Sequence, residues 1–458
     1  MNRFIVAVIS VLLFVSSCAT DKIIRVDVPA RPAGQESALG MTADPIDTVR
    51  VGFIGLGMRG HDAVRRIRRI PEARVAAICD IETDRAQRTE KYLADRGCPK
   101  AEVYSGEADS WKKVCESENV DLVYICTDWK THTPMALYAM ECGKHVAIEV
   151  PAATTLEEIW ALIDMSEKTR KHCMMLENCV YDFFEMKTLA MAQAGAFGEV
   201  VHVEGAYHHC LDPYWREYWD SWRLEYNKDN RGDVYPTHGI GPVCQVLNIH
   251  RGDRMKTLVS MDTKPFNGPK IYEKITGTPC PEFKNADQTN TLISTENGKT
   301  MLIQHDVLTP RPYDRLYQVV GTDGYAGKYP LEICCLRDTT GLEAGYDALG
   351  VEKIYSGEEL AALQAGFEHP LMNPEFVETA RKVGGHGGMD FIMDYRLIYC
   401  LHHGLPLDMD VYDLAEWCCI SDLSRISLEN GSMPVEVPDF TRGEWNKVNG
   451  YKYAFKYE

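Results

Sequence analysis

Residues 48–67, TVRVGFIGLGMRGHDAVRRI, decide the fold. A β-branched run, Val49 to Ile54, turns through Gly55, Gly57 and Gly60 into a segment whose Ala63, Val64, Ile67 and Ile70 recur at helical spacing. This is GxGxxG in the strand-turn-helix context its chemistry requires. Gly55 permits the tight turn, Gly57 lets the backbone approach a pyrophosphate, and Gly60 lets the helix pack closely on the sheet. The helix N-terminus then offers amides to the anion. The next strand, ARVAAICD, ends in Asp80, about twenty residues past the last glycine, where a carboxylate recognises a ribose 2′-hydroxyl. No arginine follows Asp80 directly, so the ligand expected is NAD and not NADP.

The alternation continues outward from this unit. A helical pattern over Thr83–Ala94 leads to a strand in VDLVYICTD, then a helix from Pro134 capped by Thr133, a strand in HVAIEV, a helix after Thr155, and a strand in HCMMLEN. Thr155 and Glu158 stand at the spacing of a capping box. Repeated β-α units imply a Rossmann doubly wound parallel sheet over 48–178, with its ligand crevice at the carboxyl ends of the strands. Those ends carry Asp80, Asp128 to His132, Glu149 with Val150, and Asn178. The arginine run RRIRR, 65–69, reads as the solvated face of a helix.

A chain of 458 residues has room for two cores, and a formal net charge of −18 argues against a nucleic-acid partner. Residues 1–17 have the pattern of a signal peptide, and VSSC resembles a bacterial lipobox. Lipidation at Cys18 is therefore expected, with attachment to a membrane of the bacterial cell envelope, on the periplasmic side or exposed at the surface; plain secretion is the competing reading. Residues 18–47 then read as a flexible tether, since they lack periodicity and are rich in Pro, Gly and Ala. Of 16 cysteines, 15 lie beyond Cys18 with no CxxC, which points to free thiols and not a disulfide framework.

Beyond residue 178 the pattern changes. VVHVEGAYHH, TLVSMDT, TNTLIST and TMLIQHDV look like strands, the last two joined through an Asn297-Gly298 turn, and helical patterns return at 389–401 and 412–426. An α+β domain with a largely antiparallel sheet is expected over 179–458. His208 and His209 are adjacent on a strand and point to opposite faces, so they do not suggest a metal site, and none is expected elsewhere. In EYWDSWR, Trp219 suits packing at least as well as a sugar face.

CTDWKTH, AIEVP, RGDVYPTHGIGP, TPRPY and GGHGGMDF together carry a resemblance over nearly the whole chain beyond residue 48. The chain resembles the superfamily of glucose-fructose oxidoreductase and inositol dehydrogenase. Within it, the chain is similar to the NAD-dependent α-N-acetylgalactosaminidases of glycoside hydrolase family 109. Dehydrogenases of the superfamily place a catalytic lysine in an EKP motif, where this chain has Val150. The resemblance implies that Met58, Arg59, Asp80, Trp129, Lys130, Thr131, His132, Glu149, Val150 and Asn178 contact NAD. It implies that Tyr207, Arg223, Tyr235, Pro236, Thr237, His238 and Tyr313 line a sugar site.

The family's chemistry oxidises the sugar at C3, removes the acidified C2 proton, eliminates the C1 substituent, adds water and returns the hydride, an exception to the two-carboxylate scheme. Tyr181, His238 and Tyr313 are the expected acid and base groups, with Glu149 orienting NAD or the sugar. His238, in its turn-like setting, also suits a structural role. The competing functions are a sugar dehydrogenase with net redox turnover, which Val150 disfavours, and a non-enzymatic carbohydrate-binding lipoprotein. The expected partners are a glycoside or glycan and the membrane, with homo-oligomer formation a further expectation.

Overall fold

The computed structural model describes residues 23–337 and 353–456, so the signal segment and Cys18 lie outside the described residues. Strands β1 (Val49–Ile54), β2 (Ala73–Asp80), β3 (Glu102–Ser105), β4 (Leu122–Ile125), β5 (His145–Ile148) and β6 (Cys173–Met175) form a parallel sheet in the order β3-β2-β1-β4-β5-β6. Helices α1 (Met58–Ile67), α2 (Thr83–Ala94), α3 (Ser110–Glu116), α4 (Trp129–Glu141) and α5 (Leu156–Thr169) alternate with them. Val51, Phe53, Leu122, Val123, Val146 and Ile148 are fully buried, as continuous apolar strands covered on both faces must be. The strand order reverses between β1 and β4, which opens a crevice beyond their carboxyl ends.

Two local expectations are corrected here. Helix α4 starts at Trp129, one and a half turns before Pro134, because Asp128 caps it by accepting from the Lys130 amide at 3.0 Å. Pro134 costs the helix only the bond to the Lys130 carbonyl, and the Thr133 hydroxyl donates to the Ala152 carbonyl instead of capping. In the arginine run, Arg65 and Arg69 are exposed, but Arg66 is buried. Its Nε donates to Asp394 at 2.7 Å, joining α1 to the second domain.

The second domain is built on nine strands: β7 (Val200–His208), β8 (Met255–Asp262), β9 (Thr289–Thr295), β10 (Thr300–Asp306), β11 (Tyr317–Gly321), β12 (Gly324–Lys328), β13 (Ile333–Leu336), β14 (Tyr355–Ser356) and β15 (Val435–Glu436). Their order is β14-β13-β12-β11-β7-β10-β9-β8-β15, antiparallel except for the β7-β10 pair. The Asn297-Gly298 turn sets the β9-β10 register, pairing Ser294 with Thr300. Helix Thr237–Leu247 lies against β7, Gly239 meeting Gly205, and this seats the helix N-terminus beside the crevice.

Residues 23–47 are not a free tether. Ile24 pairs with Val435 at the edge of the nine-stranded sheet, Ala38 and Met41 are buried, and Arg31 donates to Glu167 of α5 at 3.0 Å. Aperiodic composition excludes a helix or long strand, but it leaves single side chains free to anchor a segment at separate points. The 15 described cysteines are all free, and burial pushes the Cys79 thiol up to about 12.

Candidate active site

The cofactor cleft grows from the glycine turn. Gly55 has φ +86°, and a Cβ there would stand 2.6 Å from the Cys126 carbonyl. At Gly60 a Cβ would come within 1.8 Å of the Gly55 carbonyl, so the turn and α1 can close only without side chains. Gly57 differs: a Cβ would meet only Arg85 Nη1 at 3.7 Å. Internal packing therefore does not require glycine at 57, whereas a closely approaching ligand does. No side chain caps α1 and no acidic residue stands in its first turn, which leaves its amides to an anion.

Asp80, at the end of β2, accepts from the Leu56 amide at 2.6 Å and from the Glu82 amide at 2.8 Å. It lines a cleft of about 400 Å³ together with Gly57, Met58, Arg59 and Thr131. These features fit a dinucleotide. Trp129 and His132 sit behind the cleft, both buried. The Trp129 indole donates to the Val150 carbonyl at 3.1 Å, and the His132 ring nitrogens lie 2.9 and 3.1 Å from the Pro151 and Thr127 carbonyls. They shape the wall from behind, while Lys130 is exposed.

At the other end of the crevice, Glu149 accepts from Arg59 Nε at 2.9 Å, and Arg59 Nη1 reaches Asp390 at 3.1 Å. Asn178 donates to the same Asp390. Burial alone would raise the Asp390 carboxyl, but Arg59, His386 and Arg66 outweigh it and hold it well below the usual carboxylate range. His386 Nδ1 lies 3.0 and 3.1 Å from the Asp390 oxygens and 3.4 Å from Asn178. The imidazole is half exposed, and its backbone has φ +44°, a strained value for a non-glycine residue. His386 and Asp390 both belong to GGHGGMDF, although no role was expected of either. A histidine between two pairs of glycines in GGHGGMDF was the available signal.

The facing wall holds a second oriented imidazole. His238 Nδ1 is 2.7 and 2.9 Å from the two oxygens of Glu177, a buried carboxylate, and Nε2 is 3.2 Å from the Tyr235 hydroxyl. Burial would raise Glu177, but the neighbouring imidazole prevails and lowers it. Glu177 was also missed; it directly precedes Asn178 at the end of β6. The Tyr207 hydroxyl lies 2.8 Å from His209 Nδ1, and burial followed by Arg223 lowers His209 to about 4, leaving it neutral. Arg223 lies 4.5 Å over the Tyr235 ring and donates to Tyr218 at 2.6 Å. Tyr313 is substantially exposed and stacks edge-on with His209, whereas Pro236 and Thr237 are buried at the helix start. Burial raises the Tyr207 and Tyr235 hydroxyls, which keeps both protonated near neutral pH.

Two expectations fail here. Tyr181 is fully buried, and its hydroxyl donates to Asp408 at 3.1 Å, inside the second-domain core and away from this wall. Its nearness in sequence to Asn178 does not bring it into the site. Trp219 is 45% exposed and lines the cofactor cleft instead of packing in the core. Glu177, Cys179 and His238 bring donor atoms within 4.8 Å of one another, but Arg315 stands 3.0 Å from the Cys179 sulfur and already supplies positive charge there.

Residues 49–177 match the model for the oxidoreductase family, NAD-binding Rossmann fold, and residues 181–447 match the glycosyl hydrolase 109 C-terminal domain. A protein of Bacteroides thetaiotaomicron named glycosyl hydrolase family 109 protein 1 is 61% identical over 435 residues, covering 94% of this chain and 93% of that protein. A glycosyl hydrolase family 109 protein of Porphyromonas gingivalis is 59% identical over 434 residues, covering 94% and 92%. Levoglucosan dehydrogenase in complex with NADH shares the fold, with a TM-score of 0.63 at 17% identity over 86% of this chain and 100% of that one. The cofactor of this enzyme is NAD.

Proposed function

Because the chain belongs to glycoside hydrolase family 109, we propose that it hydrolyses terminal α-linked N-acetylgalactosamine or a related glycoside with no net use of NAD. The observation that carries this reading is a pair of carboxylate-held imidazoles, His238 on Glu177 and His386 on Asp390, reached from the consecutive residues Glu177 and Asn178. A simple dehydrogenation needs one base; elimination followed by hydration needs groups for two separate protons.

NAD, held by the Gly55–Gly60 turn and Asp80, would supply a reversible hydride acceptor for sugar C3; the C3 hydroxyl proton passes to a base as the hydride leaves, and the resulting ketone acidifies the C2 proton and lets the C1 substituent leave. Glu177 holds His238 through Nδ1, so Nε2, with the Tyr235 hydroxyl beside it at 3.2 Å, is the nitrogen that can receive the C2 proton. His386 is the more exposed imidazole, which suits protonation of a glycosidic oxygen whose aglycone must extend to solvent. The hydroxyls of Tyr207 and Tyr313 and the Arg223 guanidinium offer donors to sugar oxygens. Val150 replaces the lysine of the dehydrogenase motif, which fits this division of labour. Lipidation at Cys18, location in the cell envelope and self-association remain parts of the proposal.

Incubation with an aryl α-N-acetylgalactosaminide should release the aglycone with no accumulation of NADH, and the C2 hydrogen should exchange with solvent deuterium. His238→Ala should lower turnover about a hundredfold to ten-thousandfold while bound NAD is unchanged. Stoichiometric NADH from a free sugar, with no glycoside cleaved across a broad panel, would favour the dehydrogenase instead.

A further inference from the structure

Tyr218, Trp219 and Trp222 belong to the second domain, yet they line the same cleft as Asp80, Ile81 and Trp111 of the first. Asp80 marks where the adenosine ribose of a dinucleotide sits, and neither Glu149 nor Asn178 lines this part of the crevice. The shared section is therefore its adenosine half. We propose that the segment from Tyr218 to Trp222 is the outer wall of the adenosine compartment, with Trp219 as the stacking surface for adenine.

The segment is held from both domains. Tyr218 accepts from Arg223 at 2.6 Å, and Trp222 meets the Trp129 ring edge-on at 5.1 Å. Tyr218 and Trp222 also pack edge-on at 5.4 Å. Between them, Asp220 and Ser221 both have φ +50°, a left-handed conformation in consecutive non-glycine residues. Such strain persists where surrounding contacts enforce it and is common at ligand clamps. Trp219 is 45% exposed and makes no ring contact with the described residues, so a large flat face is left bare inside a ligand cleft. At the Asp80 end of the cleft, the flat part of NAD within reach of that face is the purine.

The assignment requires NAD binding but not glycosidase activity, so its test uses binding alone. Protein depleted of NAD is titrated calorimetrically with ADP-ribose and, separately, with nicotinamide mononucleotide. Trp219→Ala should weaken ADP-ribose about tenfold to a hundredfold, from the loss of one aromatic-base stack, and leave the mononucleotide unchanged. Trp219→Phe should recover most of the loss. Unchanged ADP-ribose affinity in Trp219→Ala, or equal weakening of both ligands, would overturn the proposal.

Discussion

Tyr181 and Asn178 stand three positions apart but serve different parts of the molecule: Asn178 donates to Asp390 at the crevice, and Tyr181 donates to Asp408 in the core. Two bonds from Arg396, each 2.7 Å, already fix Asp408. Tyr181→Phe should therefore cost about 1–3 kcal/mol of stability, the range for losing a buried bond to a charged group, and leave turnover per folded molecule unchanged. Urea unfolding and steady-state assays of NAD-loaded protein would check both halves. A hundredfold loss of turnover in a well-folded variant would return Tyr181 to the chemistry. The residue types at strand ends were legible in the sequence because the fold rule says where ligands bind. Partnerships were not: Glu177 meets His238 across 61 positions and Arg59 meets Asp390 across 331, and no local pattern encodes such pairings.

At the scale of elements, α2 spans Thr83–Ala94 as its apolar spacing indicates, and Thr155 and Glu158 form a reciprocal capping box. Both are local devices, readable from neighbours in sequence. Helix α1 shows where local reading stops. Its periodicity locates the face that covers the sheet, but a second interface, with helix Met389–His403, claims Arg66. Asp394 there also accepts from Tyr124 at 2.9 Å, so the arginine completes a buried polar group shared by sheet, α1 and second domain. Arg66→Ala removes the cation and leaves the Asp394 and Asp390 carboxylates buried. A loss of about 3–5 kcal/mol in denaturant unfolding is expected. Replacing Arg66 and Asp394 together with apolar residues should cost less than Arg66→Ala alone; a double variant worse than the single would mean that the pair is not the source of the loss.

Over the whole molecule, the segment 23–47 and the two domains share one set of buried charges: Glu167 of α5 accepts from Arg31, Arg442 and Tyr412. So many ionisable groups inside a single packed body make stability depend on pH. Burial lowers His145 and His305 to about 3 and His172, His209 and His369 to about 4. Between about pH 6.5 and 4 these five take up protons only on unfolding, so acid favours the unfolded chain. Burial raises Glu185 and Asp233 to about 7, and these two act oppositely, keeping protons in the folded state that the unfolded chain releases above its ordinary carboxyl range. Five histidines against two carboxyls leave a net proton uptake on unfolding in this window, so stability should fall as pH drops from 6.5 to 4.5. On the alkaline side, His250 is raised to about 10: burial and Arg251 would lower it, but Glu416, Asp413 and Asp410 prevail. Its contribution is full below pH 6.5 and is lost as pH rises toward 10. Urea midpoints measured from pH 4.5 to 9 should therefore peak near pH 6–7. A midpoint that rises steadily on acidification to pH 4.5 would mean that the buried carboxyls, and not the histidines, govern the balance.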